Sequence, residues 1–194
     1  MKKVYIVLTH TGTILSRIIR IFTGDEFSHS SISLDSDLKQ MYSFGRLNPY
    51  NPFIGGFVHE SISYGTFKRF KYTETNIYSL NVTDEQYKKI YETIYFIKKS
   101  KEKYKFNVSG LFAISINKKI KRNNYFYCAE FVKYILEING VQTNLPELIK
   151  PEDFKKIENI QLVYRGKLKN YKRKNTREIV KEKIIDSMRK KEMI

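Results

Sequence analysis

The chain has 194 residues, with 36 Lys/Arg against 20 Asp/Glu and a single cysteine. That length suits one domain with a sizeable core, and a lone thiol excludes an internal disulfide, so a reducing compartment is the simpler setting. The net charge of +16 favours phosphate-rich or otherwise anionic partners, although AT-rich coding would enrich lysine equally.

The charge is uneven: residues 165–194 hold 12 Lys/Arg against 4 Asp/Glu. This sets off a basic C-terminal tail (165–194) from a main domain (1–164). The N-terminal apolar run is too short for a secretory signal, and no run approaches the roughly 18–20 apolar residues of a membrane span. The expectation is a cytoplasmic chain that can sit peripherally at a membrane.

Val4-Tyr5-Ile6-Val7-Leu8 reads as a buried strand. Thr11-Gly12-Thr13 opens a helix with Ile14, Leu15, Ile18, Ile19 and Phe22 at helical spacing, ended by Gly24. Ser28 to Leu34 alternates as a strand, Asp35-Ser36-Asp37 turns, and Leu38 to Phe44 forms its hairpin partner. Gly45 to Gly56 is read as a turn-rich excursion, too punctuated for a regular element.

Residues 57–62 and 76–82 read as further strands. Thr83-Asp84-Glu85-Gln86 has the form of a capping box, and the helix after it aligns Tyr87, Ile90, Tyr91, Ile94 and Ile97. Val108 to Ile116 is a short apolar helix. A second amphipathic helix runs from Cys128 to Asn139, with Gly140 as its C′ residue. Residues 162–164 suggest a last strand, and a basic helix begins near Thr176. The pattern is α+β, an antiparallel sheet packed against helices.

Asn123 and Asn124 precede Tyr125-Phe126-Tyr127-Cys128-Ala129-Glu130, which places Cys128 in the first helical turn. There the unpaired N–H groups and the helix dipole stabilise a thiolate. The competing reading is a core thiol, because Cys128 shares a face with Phe131, Val132, Ile135 and Leu136. His29 opens a strand, where its ring can reach the sheet's rim; otherwise it is a surface histidine. His10 competes as the base, and His59 is placed at the surface by its parity. No spacing fits a zinc site, a phosphate loop or a dinucleotide fingerprint, so no metal or cofactor is expected. A nucleophile elbow is also absent.

His29-Ser30-Ser31-Ile32-Ser33-Leu34, then Tyr42-Ser43-Phe44, then Tyr127-Cys128-Ala129-Glu130-Phe131-Val132, resembles the circularly permuted NlpC-type papain-fold hydrolases. The resemblance covers roughly residues 4–140. It implies a permuted papain-like domain in which the histidine strand precedes the cysteine helix. Cys128 would be the nucleophile, His29 the base, and Ser43 the residue that orients the imidazole, with Gln40 and Glu60 in reserve. Family members often carry a carboxylate or amide at the Ser43 position. The Cys128 N–H would help hold the oxyanion, with Tyr127 or Tyr125 as a further donor.

The implied chemistry is thiol hydrolysis or acyl transfer at an amide or ester of a peptide, peptidoglycan-like or lipid substrate. The alternative is a non-catalytic lipid- or peptide-binding module, which Ser43 would favour. Lys118-Lys119-Ile120-Lys121-Arg122 points to an anionic substrate, and the tail to contact with anionic membrane. Nucleic-acid binding has charge and aromatics in its favour but no recognition motif.

Overall fold

The computed structural model describes residues 1–13, 24–48, 51–113, 118, 120 and 122–171. The helix expected over residues 14–23, the end of the one expected to reach Ile116, and the basic helix from Thr176 lie outside them.

Six antiparallel strands form the main sheet: β1 (Lys2–His10), β2 (His29–Ser33), β3 (Met41–Asn48), β4 (Asn51–Glu60), β5 (Glu74–Val82) and β8 (Gln161–Lys167). Their order is β4-β3-β2-β1-β5-β8. β1 lies inside the sheet, and its continuous apolar run follows from burial on both faces: Val4, Ile6 and Leu8 on one, Val7 on the other. A two-stranded parallel pair, β6 (Lys105–Phe106) and β7 (Tyr125–Phe126), stands apart.

Gly45 to Gly56 corrects the expected excursion. β3 continues to Asn48 and β4 begins at Asn51, with Gly45 opposite Gly56 and Arg46 opposite Gly55. Proline is tolerated at Pro52 because β4 is the edge strand. Gly55 leaves room for a ring, since a Cβ there would stand 2.6 Å from Cγ of Phe106.

Among the described residues four α-helices accompany the sheet: α1 (Gly65–Arg69), α2 (Asp84–Lys99), α3 (Val108–Ala113) and α4 (Cys128–Ile138). The capping box of α2 is formed, Gln86 N–H donating to Thr83 Oγ1 at 3.0 Å and Thr83 N–H to Gln86 Oε1 at 2.9 Å. Ile90, Ile94 and Ile97 are buried, whereas Tyr91 is exposed and stacks on Tyr95 one turn on, at 6.3 Å. At the end of α4, Gly140 takes a φ of +80°, as a C′ residue should.

Registers fix what each face of the sheet carries. Ile6, Leu8, Ser30, Ile32, Tyr42, Phe44 and Phe57 share the face on which α4 packs. Phe131 of α4 meets Phe44 at 5.1 Å and Phe57 at 5.8 Å. Such ring pairs add about 0.5–1.5 kcal/mol beyond area burial. The other face carries Val7, Thr9, His29, Ser31, Met41, Ser43 and Glu60, with Phe67, Leu168 and Tyr171 in its apolar part.

The boundary drawn at residue 164 falls inside β8, and the chain stays with the domain beyond it. Leu168 and Tyr171 are buried, and the Tyr171 hydroxyl donates to Ser36 O at 2.8 Å. No described helix is long and apolar enough to cross a membrane.

Candidate functional site: a cysteine, a histidine and a glutamate

Cys128 is the first residue of α4, and the local sequence explains the helix start. Asn124 adopts a φ of +61°, which asparagine tolerates, and the Tyr125 N–H donates back to Arg122 O at 3.1 Å to close a turn. The asparagines therefore make the turn, and Tyr127 is the N-cap residue. Its N–H donates to Glu130 Oε2 at 3.1 Å, a carboxylate well placed at a helix N-terminus. Glu130 Oε2 also accepts from Asn107 Nδ2 at 3.2 Å, which ties α4 to the segment that opens α3. Cys128 as a residue ends up 4% exposed.

His29 is the first residue of β2, opposite Thr9 of β1. Its Nε2 lies 2.9 Å from Glu60 Oε1, and the Ser31 hydroxyl donates to Glu60 Oε2. Cys128 is the other group that acts on the His29 ring, and with Nε2 turned to Glu60 the nitrogen left for it is Nδ1. Cys128 starts the helix on one face of the sheet, and His29 is the first residue of β2, at that strand's end.

Glu60 reaches His29 from two strands away. Ser43 and Gly45, the β3 residues of that face next to His29 and Glu60, are both small. A Cβ on Gly45 would stand 3.3 Å from His29 Cε1 and 3.9 Å from Glu60 Oε1. The carboxylate thus lies across a shallow bed. It also lines a cavity of about 210 Å³ with Arg46, Val58, Tyr64 and Phe67.

The electrostatics follow from this line of groups. Burial works against the His29 cation, but the Glu60 carboxylate and the Cys128 sulfur outweigh it and raise its pKa to about 10. Burial pushes the Cys128 thiol up, while the His29 imidazole, with Ser30, brings it below its ordinary value. Burial likewise opposes the Glu60 carboxylate, and the His29 cation, Ser31 and Ser43 hold its pKa low. Each shift is toward the charged form, so the arrangement favours thiolate, imidazolium and carboxylate in a row.

Two expected site residues take other parts. Ser43 is buried beside the Glu60 carboxylate and helps keep it ionised, but it is outside hydrogen-bonding geometry with any described partner. Glu60 holds the imidazole instead. The hydroxyl of Tyr127 donates to Ile149 O at 2.9 Å inside the core, so it is spent on the backbone and is no oxyanion donor.

His10 is buried with Nδ1 3.4 Å from Ser28 Oγ. His59 lies on the other face from Glu60, stacked on Tyr42 with Nε2 2.7 Å from Lys39 O. Among the described residues no group of three or more His, Cys, Asp or Glu could hold a metal ion.

Neither a family model nor a curated protein matches this chain.

Proposed function

We propose that the protein is a thiol hydrolase or acyltransferase that opens an amide or ester bond through Cys128, His29 and Glu60. The observation that carries this reading is a His29 ring held by Glu60 at 2.9 Å and acting by its charge on a cysteine at the first position of a helix. The order of a histidine strand followed by a cysteine helix is also what a permuted NlpC-type papain-like fold would have.

In this mechanism the Cys128 thiolate attacks the acyl carbon and forms the C–S bond. The carbonyl oxygen becomes an oxyanion, for which the Cys128 N–H is the available donor, since first-turn N–H groups have no intrahelical partner. The His29 imidazolium gives its Nδ1 proton to the leaving nitrogen or oxygen as that bond breaks. Neutral His29 then takes a proton from water or another acceptor. That acceptor attacks the thioester and releases the thiolate. Glu60 stabilises the imidazolium throughout.

A non-catalytic binding module on the same fold is the alternative. Its support was a serine as the orienting residue, and a carboxylate in that role favours turnover. Lys118 and Arg122 precede the cysteine helix, and Arg122 stands over the Tyr125 ring at 3.8 Å. A positive approach of this kind suits an anionic acyl, peptide or lipid substrate, including one presented at an anionic membrane.

The test is iodoacetamide alkylation of Cys128 across pH 4–10 in the parent and in His29→Ala. The expected result is a thiol titrating well below the usual value of about 8.5, moving up when His29 is removed. Cys128→Ala and His29→Ala should each abolish turnover with the fold intact. A thiol of ordinary pKa that ignores His29, or full activity in either variant, would overturn the assignment.

A further inference from the structure

A cation without a counter-ion lines the cavity beside Glu60. The pairing of β3 with β4 slips between Arg46 and Asn48, and such irregularities re-aim side chains. Arg46 stands opposite Gly55, which has no side chain to fill the space next to it. It is half-buried, and it shares with Glu60 the lining of the cavity of about 210 Å³. Its guanidinium carbon lies 5.5 Å from the centre of the Phe70 ring. Among the described residues Arg46 forms no ion pair, and Glu60 is the one carboxylate lining the cavity. Both oxygens of Glu60 are taken, one by His29 and one by Ser31. Burial lowers the Arg46 pKa, and the charge of Glu60 offsets this only in part.

A partly desolvated charge is normally paired, and here the chain supplies no partner. The same cavity supplies donors instead, the hydroxyls of Ser61, Tyr64 and Thr66. Ser61 Oγ accepts the Ser63 N–H at 3.0 Å, which leaves its own proton to donate. We propose that this cavity is a binding site for a small oxyanion, a carboxylate or phosphate group, held by the Arg46 guanidinium with Ser61, Tyr64 and Thr66 around it. Arginine presents two parallel N–H groups that match either anion, and the Phe70 ring limits where that fork can turn. The His29 cation balances Glu60, so an entering anion meets the Arg46 charge uncompensated. The cavity adjoins the Glu60 side of the imidazole, and the anion it holds is not the acyl group that Cys128 would attack.

The experiment titrates inorganic phosphate and, separately, acetate into the full chain at fixed ionic strength, read by calorimetry and by Tm. It is done in Cys128→Ala, so that failure of the thiol reading and failure of this site are told apart. At least one anion should bind saturably and raise the Tm with its concentration. Arg46→Gln should weaken that binding by about tenfold or more, the scale of one charge-assisted bidentate contact. Its anion-free Tm should hold or rise, because an unpaired, half-buried charge is removed. Arg46→Lys keeps the charge without the fork and should fall between the two. Lys101→Gln removes an exposed charge and should leave binding within about twofold. Saturable binding of phosphate alone assigns a phosphoryl ligand, and of acetate alone a carboxylate. Binding of neither anion would overturn the site. So would binding that either Arg46 variant leaves unchanged, or that Lys101→Gln weakens as far as Arg46→Gln does.

Discussion

The two faces of one sheet are built to different ends. Toward α4, strands β1 to β3 present Ile6, Leu8, Ile32 and Phe44, all fully buried. On the opposite face, near the beginning of β2, the same strands present Thr9, His29, Ser31 and Ser43, and β4 adds Glu60. Consecutive residues of β2 thus serve packing and charge in alternation, which the two-residue period of a strand makes available. The larger apolar cluster lies on the α4 face, and its burial offsets the cost of burying charged groups on the other. Cys128 links the two, since it starts the helix that covers the apolar face and addresses a histidine from the other.

The contrast would break first at Glu60. Glu60→Gln should lower kcat/KM by about 10²–10⁴, the scale seen when a carboxylate behind a catalytic histidine is neutralised. Because the His29 pKa is raised from 6.5 to about 10, its ion pairs stabilise the fold fully below pH 6.5 and are lost as the pH rises through about 10. Glu60 has the opposite sign: its contribution is present above its unfolded pKa and lost as the pH falls through its lowered folded value. The alkaline limb of the parent rate profile should therefore lie near pH 10 and move toward neutrality in Glu60→Gln. A limb that stays in place would detach Glu60 from the imidazole.

Phe131→Ala tests the apolar face. Its ring is fully buried between Phe44, Phe57 and Phe126, so truncation should cost about 3–5 kcal/mol in denaturant unfolding. The thiol pKa of the molecules that remain folded should stay within a few tenths of the parent value. A thiol that shifts as far as in His29→Ala would mean that the faces are not separable.

Tyr127→Phe is the smallest effect. It removes the hydrogen bond to Ile149 O and should cost about 0.5–1.5 kcal/mol of stability, with turnover within about twofold of the parent. A loss of activity beyond tenfold without loss of stability would return Tyr127 to the oxyanion.

Local patterns were legible where local physics decides them. The β1 run, the Thr83–Gln86 capping box, the apolar side of α4 and Gly140 as its C′ residue all follow from periodicity and capping. The Gly45–Gly56 stretch was misread because glycine and proline weaken a strand signal, whereas edge pairing and the close approach of Phe106 make both residues acceptable there. The two asparagines before Cys128 signalled a break, and only the turn at Asn124 distinguished a turn from a cap.

The sequence by itself determined which groups are available: one cysteine opening an apolar-faced helix, a histidine opening a strand, and strands that alternate. Tertiary structure decided the third partner. Ser43 and Glu60 share a face with His29, but parity in isolated strands assigns no common face until register is set, and a one-residue slip would reverse it. Glu60 lies 31 residues from His29 and two strands away. It reaches the ring because Ser43 and Gly45 of β3 are small enough to let its side chain lie across them, and that depends on the packing of three strands together.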